Sequence, residues 1–222
     1  MDLDQYIKQV LTEYLLTNTY AQLMFDAATH RVEKIKRDLK QLISDHHGLL
    51  PKAELIYFQR SFQSHHRLPI LYGLPKVHKN PISLRPVVST TNSFLAVFSI
   101  WLDFKMKVLL PLIKSYIKNS ATIINDLKGM VVPDNTKVFT ADAKSMYTNI
   151  DTTTGIALER EFLNTNADSI PPDFPSYLFL EILETVMRNN MFSFGDTFWL
   201  QLTGTAMGTP VACSYATITY GQ

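Results

Sequence analysis

One cysteine, Cys213, is all that the 222 residues contain, so an internal disulfide framework is excluded and a reducing compartment fits. An excess of charge is also missing: 21 Lys and Arg against 20 Asp and Glu leave a net charge of +1. Whole-chain charge therefore gives no argument for a nucleic-acid partner, and any such argument must rest on local distribution. No long apolar run is uninterrupted. The most apolar stretch, 94–113, carries Asp103, Lys105 and Lys107 in its middle, where a bilayer penalises charge, so it reads as a buried helix and not as a membrane span. The opening MDLDQYIKQV is acidic and has no apolar core ahead of a small-residue cleavage site, which argues against a secretory signal. Internal repeats, low-complexity tracts and flexible linkers are missing too. With 46% hydrophobic and 18% charged residues, the composition is that of a soluble globular chain able to bury a sizeable core, and an intracellular location is expected.

Within the balanced total, the charges are unevenly placed. No acidic residue stands between Glu54 and Asp103, yet Arg60, Arg67, Lys76, Lys79 and Arg85 all fall there, among His65, His66 and His78. This interval reads either as a surface for phosphates or as a solvated face balanced by acids from elsewhere in the chain.

Periodicity organises the rest. Tyr6, Ile7, Val10, Leu11, Tyr14 and Leu15 recur at helical spacing, as do Val32, Ile35, Leu39, Leu42 and Ile43, with His46, His47 and Gly48 ending the second helix. Prolines and glycine over 68–80, then the β-branched run RPVVST, predict a two-stranded ribbon with a basic tip. A long helix over 93–116, kinked at Pro111, and a short one near 123–127 follow. KVFTA at 137–141 predicts a strand ending at Asp142, and helices are expected over 152–163 and 177–188. The segment 191–202 alternates about Gly195-Asp196, a hairpin signal. Thr209 is placed to cap a last helix that begins at Pro210. The order helix, ribbon, helix, strand, helix, hairpin, helix predicts one α+β unit.

Three segments carry candidate chemistry. A carboxylate at a strand end, Asp142, suits Mg²⁺ shared with substrate phosphates, because that ion prefers oxygen ligands. Tyr147, five residues on, could lie under a sugar and reject a 2′-hydroxyl by contact. In isolation the same pair reads as a turn aspartate and a core tyrosine. Gly204 and Gly208 in LTGTAMGTP permit close backbone approach ahead of a helix, or mark only a turn. Pro75, Pro81 and Pro86 stiffen the ribbon that carries Lys76, Lys79 and Arg85, and a guanidinium there matches phosphate oxygens.

Taken in order, YGLPKVHK, LRPVVS, KNSATIINDL, FTADAKSMYTNI and MFSFGDTFWLQLTGTAMGTPVACSYA resemble the reverse transcriptases of Penelope-like retroelements, a family related to telomerase reverse transcriptase. The resemblance implies a right-hand polymerase fold, with helical and β-ribbon fingers over 1–117 and a partial palm over 118–222. It implies an RNA-directed DNA polymerase acting in the nucleus on an RNA template, a DNA primer and a dNTP with Mg²⁺. By position, Asp142 would be the first metal-binding carboxylate and Ala143 would complete that shell through its backbone. Tyr147 would sense the sugar. Arg85, with Lys76 nearby, would hold the triphosphate, Lys79 the template, and Gln201, Gly204, Thr205 and Gly208 would line the template and incoming base. The family places proline where Asp151 and Cys213 stand; Asp151 is better suited to capping the next helix.

The resemblance further implies a paired-aspartate motif that would follow Gln222. This chain is accordingly expected to hold an incomplete two-ion site, to be inactive alone, and to leave a sheet edge open beside Asp142. The competing readings are a nucleic-acid-binding relic without catalysis and a metal site among His46, His47, His65, His66 and His78.

Overall fold

A computed structural model describes residues 2–143 and 145–222. Asp2 and Gln5 form a reciprocal capping box that starts α1 (Leu3–Val10), which runs on into a π-helical turn at Leu11–Leu15. Strand β1 (Tyr20–Leu23) leads to α2 (Phe25–Asp45), whose Ile35, Leu39 and Ile43 face the core. His46 and His47 end it, each ring donating from Nδ1 to a carbonyl of the last turns, those of Leu42 and Ser44. Pro51 precedes α3 (Lys52–Gln63), and the ribbon follows as β2 (Ile70–Lys76) and β3 (Ser83–Ser89). The remaining elements are α4 (Phe94–Leu109), α5 (Ser120–Leu127), α6 (Thr152–Thr165), α7 (Ser176–Met187), the hairpin β4 (Met191–Phe194) and β5 (Thr197–Gln201), and α8 (Ala212–Gly221). The chain is a mixed α+β fold.

Five strands form one mixed sheet in the order β1-β5-β4-β2-β3. Its only parallel junction is the narrow one where Ile70 of β2 meets Ser193 of β4, reinforced by Ser193 N–H donating to Pro69 O at 2.8 Å. The sheet thus takes strands from both sides of residue 117. Val10, Leu15, Leu71, Leu84, Phe192 and Trp199 pack together on one side of it. Tyr14 donates its hydroxyl to Leu84 O at 2.6 Å, and Tyr6 accepts from Gly73 N–H at 2.7 Å, so the first helical segment is bonded to the ribbon as well as packed on it.

The larger core surrounds α4. Phe98, Leu102, Met106 and Leu109 are fully buried there, against Phe58 of α3 and Phe179 and Leu183 of α7. Phe58 stacks on Phe98 with ring centroids 4.9 Å apart. Glu54 binds this layer from α3, accepting from Trp101 Nε1 at 2.6 Å and Lys105 Nζ at 2.8 Å.

Four expectations are corrected. Residues 137–143 form no strand, and Val138 and Phe139 are each 88% exposed. β-propensity is realised only where the pleated surface packs on something, and no described strand pairs with this segment. The open sheet edge beside Asp142 therefore does not arise, because the sheet ends in β1 and β3. The long helix does not kink at Pro111; it stops at Leu109 and gives way to a 3₁₀ turn, Leu110–Leu112, as expected when proline lacks the N–H and clashes with the carbonyl four residues back. Finally, α8 begins at Ala212 with Val211 as its cap residue, and Val211 N–H is satisfied by Ser99 Oγ of α4 at 3.0 Å, not by Thr209. Asp151 does cap α6, accepting from Thr154 N–H at 2.7 Å.

On α6, Glu159 is completely buried, and neither carboxylate oxygen has a partner among the described residues. Burial pushes its pKa well above the ordinary value of 4.5. The folded chain then holds this proton to higher pH than the unfolded chain does. Its contribution to stability is full below pH 4.5 and is lost as pH rises through the raised folded value. In urea titrations between pH 5 and 8, wild type should lose stability relative to Glu159→Gln, and Glu159→Leu should exceed wild type at pH 8 by about 1–3 kcal/mol. Parallel pH profiles for wild type and the Gln variant would contradict this account.

Candidate nucleic-acid and nucleotide interface

The ribbon register decides which basic side chains share a face. Leu74 pairs with Arg85 and Lys76 with Ser83, so strand alternation sets Tyr72, Leu74, Lys76, Arg85 and Val87 on one side and Leu71, Leu84 and Val88 on the other. The second set is buried. The first is the outward face, on which Arg85 is exposed and Lys76 half-buried, diagonal neighbours across the two strands. Lys79 lies in the turn, its N–H donating to Lys76 O at 3.0 Å.

None of Lys76, Lys79 and Arg85 is in an ion pair among the described residues. The two acids that bound the acid-free interval are engaged elsewhere. Glu54 is taken by Trp101 and Lys105, and Asp103 accepts from Ser214 Oγ at 2.6 Å and pairs with Lys107 at 2.6 Å. The cations of this face are thus unpaired among the described residues.

The glycine loop 203–209 joins this ribbon to the segment after Asp142. On one side, Val88 N–H on the free edge of β3 donates to Met207 O at 2.7 Å, and Thr90 Oγ1 donates to Gly208 O at 3.3 Å. On the other side, Gly204 N–H donates to Ile150 O and Thr205 N–H to Tyr147 O, both at 2.8 Å. Both glycines are required. Gly204 has φ +76°, and a Cβ there would stand 2.5 Å from Tyr147 O and 2.7 Å from Thr148 Cα; Gly208 has φ +105°, and its Cβ would collide with Val88 O.

The turn that receives the loop is held by Thr148 and Asn149 N–H groups donating to Ser145 O, both at 3.1 Å, and by Tyr220 Oη of α8 donating to Met146 O at 3.2 Å. Tyr147 is half-buried against the helical core, and its phenol pKa is raised, first by burial and then by the charge and hydrogen bond of Cys213. Thr205 is fully buried. Gln201 is 2% exposed at the end of β5 and holds the loop from beneath, with Nε2 donating to Thr203 O at 2.8 Å.

Asp142 and Ala143 are exposed in a segment without regular structure. Among the described residues no group of three or more His, Cys, Asp or Glu side chains converges on a point. The fit to Mg²⁺ is thus partial: Asp142 is one accessible hard-oxygen ligand that belongs to no such group of three among the described residues. Of the histidines of the alternative site, His46, His47 and His66 have separate backbone partners, with His66 Nε2 donating to Ser61 O at 2.8 Å.

Sequence reasoning missed the partners that make the loop a junction. The carbonyls of Tyr147 and Ile150 and the amide of Val88 are backbone groups and leave no mark in the sequence; the two glycines were their only signal. Also among the described residues, no helix is long and apolar enough to cross a membrane. Searches against family models, curated proteins and solved structures return no match to this chain.

If the junction depends on close backbone approach, Gly204→Ala and Gly208→Ala should each lower unfolding stability by about 1–3 kcal/mol. Gly48→Ala, where a Cβ meets nothing within 4 Å, should leave it within about 0.5 kcal/mol. Urea denaturation of the three variants is the measurement, and equal stabilities would remove the junction's structural role.

Proposed function

We propose that this chain is the fingers and part of the palm of an RNA-directed DNA polymerase of reverse-transcriptase type. The observation that supports the reading is the convergence of three sequence-distant segments. Strand β3, which carries Arg85, the turn that carries Tyr147 five residues after Asp142, and the glycine loop are joined by the backbone bonds of Val88, Gly204 and Thr205. A template-directed nucleotidyl transferase needs these functions side by side: cations for a triphosphate, an aromatic under the sugar, a close-packed loop beside the base pair, and a carboxylate for the metal.

In this reading Arg85 and Lys76 hold the triphosphate of the incoming dNTP, the guanidinium fork matching phosphate oxygens and the ammonium adding a point charge. Lys79, exposed at the ribbon tip, contacts the template backbone. Tyr147 lies against the sugar. Gly208, exposed, lies at the surface beside the template and base, and Gly204, Thr205 and Gln201, being buried, act by positioning the loop. Mg²⁺, when bound, neutralises charge on the transferring phosphoryl group; the ligands this chain offers are the Asp142 carboxylate and the Ala143 backbone. Two ions about 4 Å apart need more than one carboxylate, and the partial fit favours a chain that grips primer–template without extending it.

Fluorescence anisotropy with a labelled DNA primer on an RNA template tests this. Binding should weaken as salt rises, and Lys76→Ala, Lys79→Ala and Arg85→Ala should each lower the slope of log K against log salt by about one. Primer extension with the same chain should give no product. Binding insensitive to salt and to all three substitutions would defeat the interface. Synthesis that is lost in Asp142→Ala would instead show that the chain is catalytic by itself.

A further inference from the structure

A cavity of about 490 Å³ is bounded by α2, the start of α4, the β2–β4 seam and the end of the glycine loop. Its size is within the roughly 300–1,000 Å³ of small-molecule sites. Much of its wall is apolar, with Val32, Leu95, Met191 and Phe198 among the residues that line it. Three residues in that wall carry polar atoms with no hydrogen-bond partner: Ser93 Oγ, Thr209 Oγ1 and His66 Nδ1. Ser93 is 4% exposed and Thr209 7%. Buried polar groups are nearly always paired, so three orphans around one cavity need an explanation.

The charges of the site favour one kind of occupant. Ser93 is the cap residue of α4 and its side chain caps nothing, so the first-turn amides of Phe94 and Leu95, which have no intrahelical acceptor, open beside its hydroxyl. Arg67 and Lys36 line the same cavity. The Arg67 guanidinium donates from Nε to the carbonyl of Thr91 at 3.3 Å and is in no ion pair among the described residues, while Lys36 is shared with Glu33 at 2.9 Å and stands 5.9 Å over the Phe94 ring. Glu33 is the sole acidic residue in the wall, and Lys36 already answers it.

We propose that this cavity is a binding site for a small aromatic anion. Its fused or linked rings would occupy the apolar chamber, and its carboxylate or sulfonate would lie at the α4 N-terminus, accepting from Ser93 Oγ, Thr209 Oγ1 and the first-turn amides within reach of Arg67. The site is distinct from the cationic ribbon face, shares no residue with it, and does not depend on the polymerase reading.

The probe is anilinonaphthalene sulfonate, titrated into the full chain and followed by fluorescence and calorimetry, with uncharged phenylnaphthylamine as the matched neutral compound. One saturable site per chain is expected, with the neutral compound about tenfold weaker because the charge-assisted hydrogen bonds are lost. Ser93→Ala, which removes only an unpartnered hydroxyl, should weaken the sulfonate about threefold and leave the neutral compound unchanged. Ala96→Phe, which fills the chamber, should abolish binding of both, while Arg85→Ala should leave both intact. Non-saturating or multi-site binding, equal affinity for the two compounds, or affinity unchanged in both Ser93→Ala and Ala96→Phe would overturn the proposal. Because Ser93→Ala reports through the difference between two ligands, misfolding of the Phe variant cannot imitate the expected result.

Discussion

The backbone of residues 203–209 lies against two other stretches of backbone, and the placement of the Tyr147 turn beside β3 follows from those contacts. Hydrogen bonds from Gly204 and Thr205 hold the 145–150 turn, and Met207 holds the edge of β3. Side chains could not substitute for them. A Cβ at either glycine would enter the space of a facing carbonyl, so the approach requires glycine at both ends and φ values that other residues adopt only under strain. The loop also covers part of a sheet edge, since Val88 N–H would otherwise be an unpaired donor at the free side of β3.

A junction of this kind separates two tasks that usually compete. The ribbon's inner face is packed on Phe192 and Trp199 and bonded to Tyr6 and Tyr14, so its rigidity comes from the core. Its outer face is then free to carry unpaired cations, whose mutual repulsion a bound anion relieves. The acids that could have neutralised them serve the α3–α4–α8 layers instead, through Glu54 and Asp103. Charge that is invisible in the whole-chain total of +1 is therefore concentrated by topology.

How much of this was legible in the sequence depends on whether the signal is local. Helices α2, α6 and α7, the ribbon and the β4–β5 hairpin follow from periodicity and turn chemistry, and so does the Asp151 cap. α3 has core-facing Phe58 and a preceding Pro51, but the basic and aromatic residues around it obscured the stripe. β1 is four residues long and exists because β5 is there to pair with it. The start of α8 is held at Val211 by Ser99, 112 residues away, which no local rule reaches. The strand over 137–141 failed for the converse reason, because its residues favour extended backbone but no described strand accepts its hydrogen bonds.

The same distinction separates the well-supported half of the candidate site from the weaker half. Tyr147 and the loop are fixed by core packing and by backbone bonds on three sides. Asp142, by contrast, stands in an exposed stretch where no hydrogen bond or ion pair to its carboxylate occurs among the described residues. Metal-binding carboxylates are normally oriented by hydrogen bonds of their own, and losing that support weakens metal binding substantially. A carboxylate that is accessible but not oriented can meet an ion, yet it cannot by itself fix where the ion sits relative to the ribbon cations. The described residues thus fix the Tyr147 turn and the glycine loop more fully than they fix the Asp142 carboxylate, and that imbalance is the physical reason to test binding and turnover separately in this chain.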